Sequence, residues 1–179
     1  MIEAFVGLGS NLGDRLGNLG AAIGLLAGEP GFALRRVSLA YESEPKGPPQ
    51  PRYLNAVVGI GTLLSPRATL QRLQGIEDAL GRIRRERWGS REIDLDLLLY
   101  GDRVVRETGL LVPHPLLAER AFALVPLAEI APGVLHPERR LTASQLVDRL
   151  PDEERAGVLR YRPIRRPLPE IEAEEEPQG

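Results

Sequence analysis

Asp94 and Asp96 lie in the run Ile93-Asp94-Leu95-Asp96-Leu97-Leu98-Leu99-Tyr100, whose aliphatic content and alternation read as a β-strand. Side chains alternate along a strand. Ile93, Leu95, Leu97 and Leu99 therefore form one core-facing row, and the aspartates share the other face with Cα atoms about 6.5–7 Å apart. Like charges on one face repel, and aspartate is a poor strand former. A divalent cation between them removes the penalty, and carboxylate oxygens are the ligands that magnesium takes alongside substrate phosphates. A solvated strand face is the plainer reading of isolated aspartates, but Leu98 and Tyr100 continue this face with apolar side chains.

The preceding loop, Gly81–Glu92, carries Arg82, Arg84, Arg85, Arg87 and Arg91 against Glu86 as the one acid between Arg82 and Arg91. Guanidinium forks beside a carboxylate pair suit a magnesium-bound polyphosphate, since they neutralise the oxygens that the metal leaves. A charged surface loop is the ordinary reading, and adjacency to the aspartates argues against it. Phosphoryl-type transfer needs positioning and charge neutralisation more than a strong base. The chain has no obvious base.

The elements that must hold these groups can be read in order. Ile2–Leu8 is a short apolar run entering Gly7-Leu8-Gly9-Ser10-Asn11-Leu12-Gly13-Asp14, a buried strand followed by a glycine-rich turn. Leu12, Leu16, Leu19, Ile23 and Leu26 recur at helical spacing, and Gly17, Gly20 and Gly24 within that helix point to close packing against a sheet. Leu34–Glu42 reads as a second strand, Ser43–Arg52 as a proline-rich loop and Tyr53–Leu63 as a third strand. Ser65-Pro66 caps a helix running to about Leu80. After the fourth strand, Gly101-Asp102 predicts a hairpin to a short strand near Val104-Val105. Short helices follow at Leu116–Ile130 and Thr142–Leu150. The order β-α-β-β-α-β predicts an α+β fold with a ferredoxin-like core, an additional hairpin strand and C-terminal helices.

Composition sets the outer limits. The 179 residues are 42% hydrophobic and 27% charged, enough to bury a core in one domain. The absence of cysteine excludes thiol catalysis and cysteine-ligated metals, and two histidines make a histidine-rich metal site a poor reading. Lys46 is the single lysine among 23 basic residues. Five glutamates close the chain (Glu170, Glu172, Glu174, Glu175, Glu176); removing them from a net charge of −2 leaves residues 1–169 at +3. A single domain over residues 1–163 with an acidic, disordered tail over 164–179 is expected. No secretory signal or membrane-length apolar run is apparent, so a cytoplasmic location and no membrane partner are expected.

Arg87-Trp88-Gly89-Ser90-Arg91-Glu92-Ile93-Asp94-Leu95-Asp96-Leu97-Leu98 resembles the signature of the 6-hydroxymethyl-7,8-dihydropterin pyrophosphokinases, with every constrained position filled. The resemblance covers roughly residues 1–160 in order, through Gly9-Ser10-Asn11, Tyr53-Leu54-Asn55-Ala56, Gly81-Arg82-Ile83-Arg84, Val112-Pro113-His114, Arg120, Phe122 and Pro126–Pro132. It implies transfer of pyrophosphate from ATP to the pterin hydroxymethyl group, release of AMP, and two magnesium ions. It further implies Asp94 and Asp96 as metal ligands and Arg82 and Arg91 as the catalytic grip on the triphosphate. Gln74, Glu77, Arg84, His114 and Arg120 would serve ATP. Ser43, Pro45, Tyr53, Asn55, Trp88 and Phe122 would serve the pterin, with Tyr53 and Phe122 stacking on its ring and Trp88 in the loop that closes. Small-molecule substrates are implied, with no nucleic acid and no obligate protein partner.

Three features depart from the family pattern. Pro115 stands where a tyrosine is common, Ser43-Glu44-Pro45-Lys46-Gly47 stands where Thr-Pro-Pro-aliphatic-Gly is common, and the acidic tail has no counterpart. Rival readings are weaker. Gly7-x-Gly9 lacks the third glycine of a dinucleotide fingerprint, having Leu12 there. An RNA-binding module would use the arginine loop, but its aromatic-rich strands are missing and the paired aspartates repel a nucleic-acid backbone. A pterin-binding relative without activity is disfavoured by the intact aspartate pair. His136, alone before a proline, reads as structural.

Overall fold

The computed structural model describes residues 1–81 and 92–165. Its central sheet is antiparallel. The first strand, β1 (Ile2–Ser10), leads to α1 (Arg15–Gly28), and β2 (Phe32–Val37) and β3 (Ala40–Ser43) follow. Next come β4 (Tyr53–Thr62), α2 (Pro66–Ala79) and β5 (Asp94–Tyr100). A small hairpin, β6 (Val105–Glu107) and β7 (Leu110–Val112), precedes a 3-10 turn at Leu117–Glu119 and α3 (Ala121–Ile130). The chain continues through β8 (Leu135–His136), β9 (Leu141–Thr142), α4 (Ala143–Asp148), α5 (Asp152–Ala156) and β10 (Leu159–Arg162). Strand order is β10-β3-β4-β1-β5, with β2 also paired to β4. No helix among the described residues is long and apolar enough to cross a membrane.

Alternation divides the core in two. Ala4, Val6 and Leu8 of β1, with Leu54, Ala56 and Val58 of β4, pack under Leu19, Ile23 and Leu26 of α1 and Leu73 and Ile76 of α2. Phe5 and Val57 face the other way, onto Leu124 and Leu127 of α3 and Leu146 of α4. Gly7 and Gly9 continue that second face beyond Phe5, so β1 there presents backbone and no side chain. Leu98 lies over Gly7, a Cβ there being 3.3 Å from its Cδ1, and the same half of the face carries Asp94 and Asp96.

Four local expectations are revised. The register of β1 against β5 shifts between Phe5 and Val6: Val6 pairs with Leu97 but Phe5 with Leu99. The extra residue, Leu98, makes a bulge that breaks the period of two. Leu98 keeps the face read from alternation, in the second cluster, but Leu99 joins it there and Tyr100 joins the first cluster, reversing the faces of those two. The strand near Val105 pairs forward with β7 and not back with β5. The predicted second strand is broken into β2 and β3, and the Ser38 hydroxyl at the break accepts the Val57 N–H at 2.9 Å.

Gly17 and Gly20, fourth, do not serve the sheet, which α1 contacts through Leu19, Ala22, Ile23 and Leu26. A Cβ on Gly17 would collide with the Asp14 carboxylate, which caps α1 by accepting the Gly17 N–H at 3.0 Å. A Cβ on Gly20 would run into the Arg165 carbonyl. Beyond β10 the chain lies along α1, with Ile164 packed on the first cluster. Gly20→Ala should therefore destabilise by about 1–3 kcal/mol, the range for overpacking. Gly75→Ala in α2, where a Cβ meets nothing within 4 Å, should gain up to about 1 kcal/mol of helix propensity. Thermal melts check both: at roughly 2–4 °C per kcal/mol, the midpoints should move in opposite directions.

Candidate active site

Asp94 and Asp96 are half-buried on β5. Asp94 is opposite Gly9, and Asp96 opposite Gly7. Across β1, Gly9 is also opposite Asn55, and Gly7 opposite Val57. Directly opposed residues point to the same face, so one row runs Asn55, Gly9, Asp94 over three strands. Leu95, between the aspartates, drives its side chain into the first core cluster and anchors the strand from behind. Its backbone N–H donates to Glu77 Oε1 at 2.7 Å. Asn18 Nδ2 holds the entry to β5, donating to the Glu92 carbonyl at 3.1 Å, the Ser10 hydroxyl at 3.1 Å and the Leu12 carbonyl at 3.0 Å.

At the other side of β5, the His114 N–H donates to the Leu98 carbonyl at 2.9 Å. Burial pushes the His114 imidazole down to about 4; the positive charge of Arg120 adds to the shift, and Asp94 opposes it. His114 is therefore neutral near pH 7. Its Nδ1 accepts the Leu116 N–H at 3.2 Å, which leaves the ring proton on Nε2 as a donor. The Arg120 guanidinium lies 5.6 Å from the centre of the Phe122 ring at the start of α3. Asp94 and the Arg120 guanidinium thus both lie within electrostatic range of a neutral imidazole donor.

On the β4 side, Asn55 and Ser43 are buried, and Asn55 Nδ2 donates to the Ser43 hydroxyl at 2.7 Å. The Gly9 Cβ position is 3.5 Å from Asn55 Oδ1 and 3.6 Å from the Tyr53 ring. Any side chain at residue 9 would fill the space beneath that ring. Two glycines spaced by two in an otherwise apolar strand are the signal that sequence reading had available for this opening. It was weighed only as a dinucleotide fingerprint.

The loop between β3 and β4 is held at both ends. Asn11 Nδ2 donates to Gln50 Oε1 at 3.0 Å and to the Pro51 carbonyl at 3.2 Å. Lys46 reaches Glu154 of α5 at 2.8 Å, and Arg52 pairs with Glu44 at 2.5 Å. Lys46 and Glu44, the two departures from the family pattern, thus form exposed ion pairs that brace the loop, each worth little singly. Pro45 is half-buried between them. Gln74 is exposed on α2, three residues before the buried Glu77. Arg82, Arg84, Trp88 and Arg91 lie outside the described residues.

The depressed His114 pKa fixes a sign. Between about pH 6.5 and 4 the unfolded chain binds the proton and the folded one does not, so stability falls as pH drops through that window. His136 is shifted the same way by burial. Denaturant midpoints at pH 7.5 and 5 should show a smaller loss for His114→Gln than for the unaltered protein, and the His114 ring resonances should titrate near 4. An equal loss in both proteins would contradict the burial of this imidazole.

Residues 5–132 match the family described as 7,8-dihydro-6-hydroxymethylpterin-pyrophosphokinase. The 2-amino-4-hydroxy-6-hydroxymethyldihydropteridine pyrophosphokinase of Synechocystis sp. is 48% identical over 147 residues, covering 82% of this chain and 75% of that protein. The protein of the same name from Haemophilus influenzae is 41% identical over 153 residues, covering 85% and 95%. Among solved structures, wild-type HPPK-DHPS of Plasmodium falciparum is similar with a TM-score of 0.66 at 15% identity, a likeness of fold. The match covers 82% of this chain, which spans 44% of the Plasmodium chain.

Proposed function

The chain belongs to the 7,8-dihydro-6-hydroxymethylpterin-pyrophosphokinase family, and we propose that it transfers pyrophosphate from ATP to the hydroxymethyl group of 6-hydroxymethyl-7,8-dihydropterin in folate biosynthesis. The pterin hydroxyl oxygen bonds to the β-phosphorus and gives up its proton to solvent, the bond from that phosphorus to the α,β-bridging oxygen breaks, and AMP leaves. The observation that carries this reading is the row Asn55, Gly9, Asp94, with Asp96 beside it over Gly7. It sets a polar, ring-flanked pocket next to a carboxylate pair with open backbone between. The order β1, α1, broken β2/β3, β4, α2, β5 with central strands β3-β4-β1-β5 supports reading the core as ferredoxin-like.

Asp94 and Asp96 fit a divalent cation. Among the described residues no group of three or more acidic or histidine side chains could hold a metal. Two carboxylates are what magnesium takes when phosphate oxygens supply the remaining ligands. Bound there, magnesium would neutralise charge on the triphosphate. His114 would donate its Nε2 proton to a phosphate oxygen, and Arg120 would add positive charge beside it. Arg82, Arg84 and Arg91 would hold the phosphates from the neighbouring loop, with Gln74, exposed on α2, on the nucleotide side; Glu77 is buried behind β5 and would not reach it. Tyr53 and Phe122 would sandwich the pterin ring while Asn55, fixed by Ser43, hydrogen-bonds its polar edge. Pro45 and Trp88 would close the pterin pocket. Enclosure of this kind keeps water from competing for the phosphorus.

An assay with ATP, magnesium and the hydroxymethyl-dihydropterin should yield AMP; formation of ADP would refute the reading. Asp94→Asn and Asp96→Asn should each lower turnover by roughly 10²–10³-fold, the scale for loss of one preorganised electrostatic group, with thermal midpoints near that of the unaltered protein. Normal turnover in either would remove the metal assignment. Arg82→Ala and Arg91→Ala should lower kcat more than they weaken pterin binding, as checked by kinetics and pterin titration.

A further inference from the structure

We propose that Glu77 is a positioning residue for the aspartate pair, acting through the backbone of Leu95 and not by touching the nucleotide. The inference rests on reading Asp94 and Asp96 as the cation's ligands. Glu77 is only 2% exposed and sits on the face of α2 that carries Leu73 and Ile76 into the first core cluster. A carboxylate in such surroundings is expensive unless strong donors satisfy it. One donor is the Leu95 N–H, 2.7 Å from Oε1 and buried.

The place of that amide matters. Among the described residues β5 has β1 as its sheet partner and no strand on its other side. An edge strand of this kind leaves alternate N–H groups without a ladder acceptor, and Glu77 supplies one to Leu95. The amide it takes belongs to the residue between Asp94 and Asp96. With the Leu95 side chain packed in the core and its N–H held by Glu77, the peptide units on either side are fixed. Those units set where the two Cα–Cβ bonds aim on the opposite face. Glu77 therefore stands on the α2 side of the strand and works on groups that face away from α2. Gln74, exposed one turn earlier on the same helix, has no such placement.

The test compares two substitutions of similar volume. Glu77→Gln keeps an acceptor oxygen, whereas Glu77→Met stays buried and loses it. Manganese binding in the presence of a non-hydrolysable ATP analogue, followed by electron paramagnetic resonance, reads the pair directly. Loss of outer-shell support typically weakens metal binding by about 10–100-fold. Glu77→Met should show that loss, a matching rise in the magnesium needed for half-maximal rate, an unchanged KM for the pterin and faster exchange of the Leu95 amide. Glu77→Gln should restore manganese affinity to within about threefold. Unaltered manganese affinity in a folded Glu77→Met protein would overturn the proposal, as would a Glu77→Gln protein as weak as Glu77→Met. So would loss of nucleotide binding by Glu77→Met in the absence of any divalent ion, which would mean direct contact. If the unaltered protein bound no manganese, the underlying metal reading would fall; unchanged binding in Glu77→Met alone removes only the inference.

Discussion

The site hangs on one pairing: β1 runs antiparallel between β4 and β5 in a register that sets Gly9 between Asn55 and Asp94. Strand spacing of about 4.8 Å then puts an amide and a carboxylate on either side of a residue with no side chain. Shifting β1 by one residue would turn Gly7 and Gly9 to the core and aim Leu8 into the opening. Val6 and Leu8, buried beneath α1 and α2, oppose that slip. Core packing on one face is thus what keeps the other face open.

The second face is filled along only part of its length. α3 and α4 cover Phe5 and Val57, Leu98 lies over Gly7, and the cover stops before Gly9. The bulge at Leu98 lies at this boundary and adds its own side chain, with Leu99, to the covered part. His114 hangs from the Leu98 carbonyl, and Arg120 precedes α3. His114 is therefore carried by the same irregularity that adds Leu98 and Leu99 to the hydrophobic packing. The charged substitutions in the loop between β3 and β4, Glu44 and Lys46, are absorbed by Arg52 and Glu154 on the outside of the fold.

Much was legible beforehand because it depends on neighbours in the chain. Helical spacing of leucines located α1 and α2, Ser65-Pro66 placed the start of α2, and the alternation from Ile93 to Leu97 put the aspartates on one face. Long-range contacts were not legible. β10 joins the sheet by pairing with β3, more than a hundred residues earlier. The Gly20 requirement comes from Arg165, and the hairpin after β5 closes on β7 because Leu110 and Val112 bury into the first cluster.

The same division holds at the chemistry. Residue types and their spacing were enough to name the candidate groups: a carboxylate pair spaced by two, arginines beside it, and no thiol or surplus imidazole. They were enough because residue type and spacing of two are local quantities. Packing between distant segments is what sets Gly9 between Asn55 and Asp94, keeps His114 neutral, and gives Glu77 the amide between the aspartates. Register, burial and the filling of a sheet edge are relations between segments brought together by packing, and spacing along the chain does not encode them.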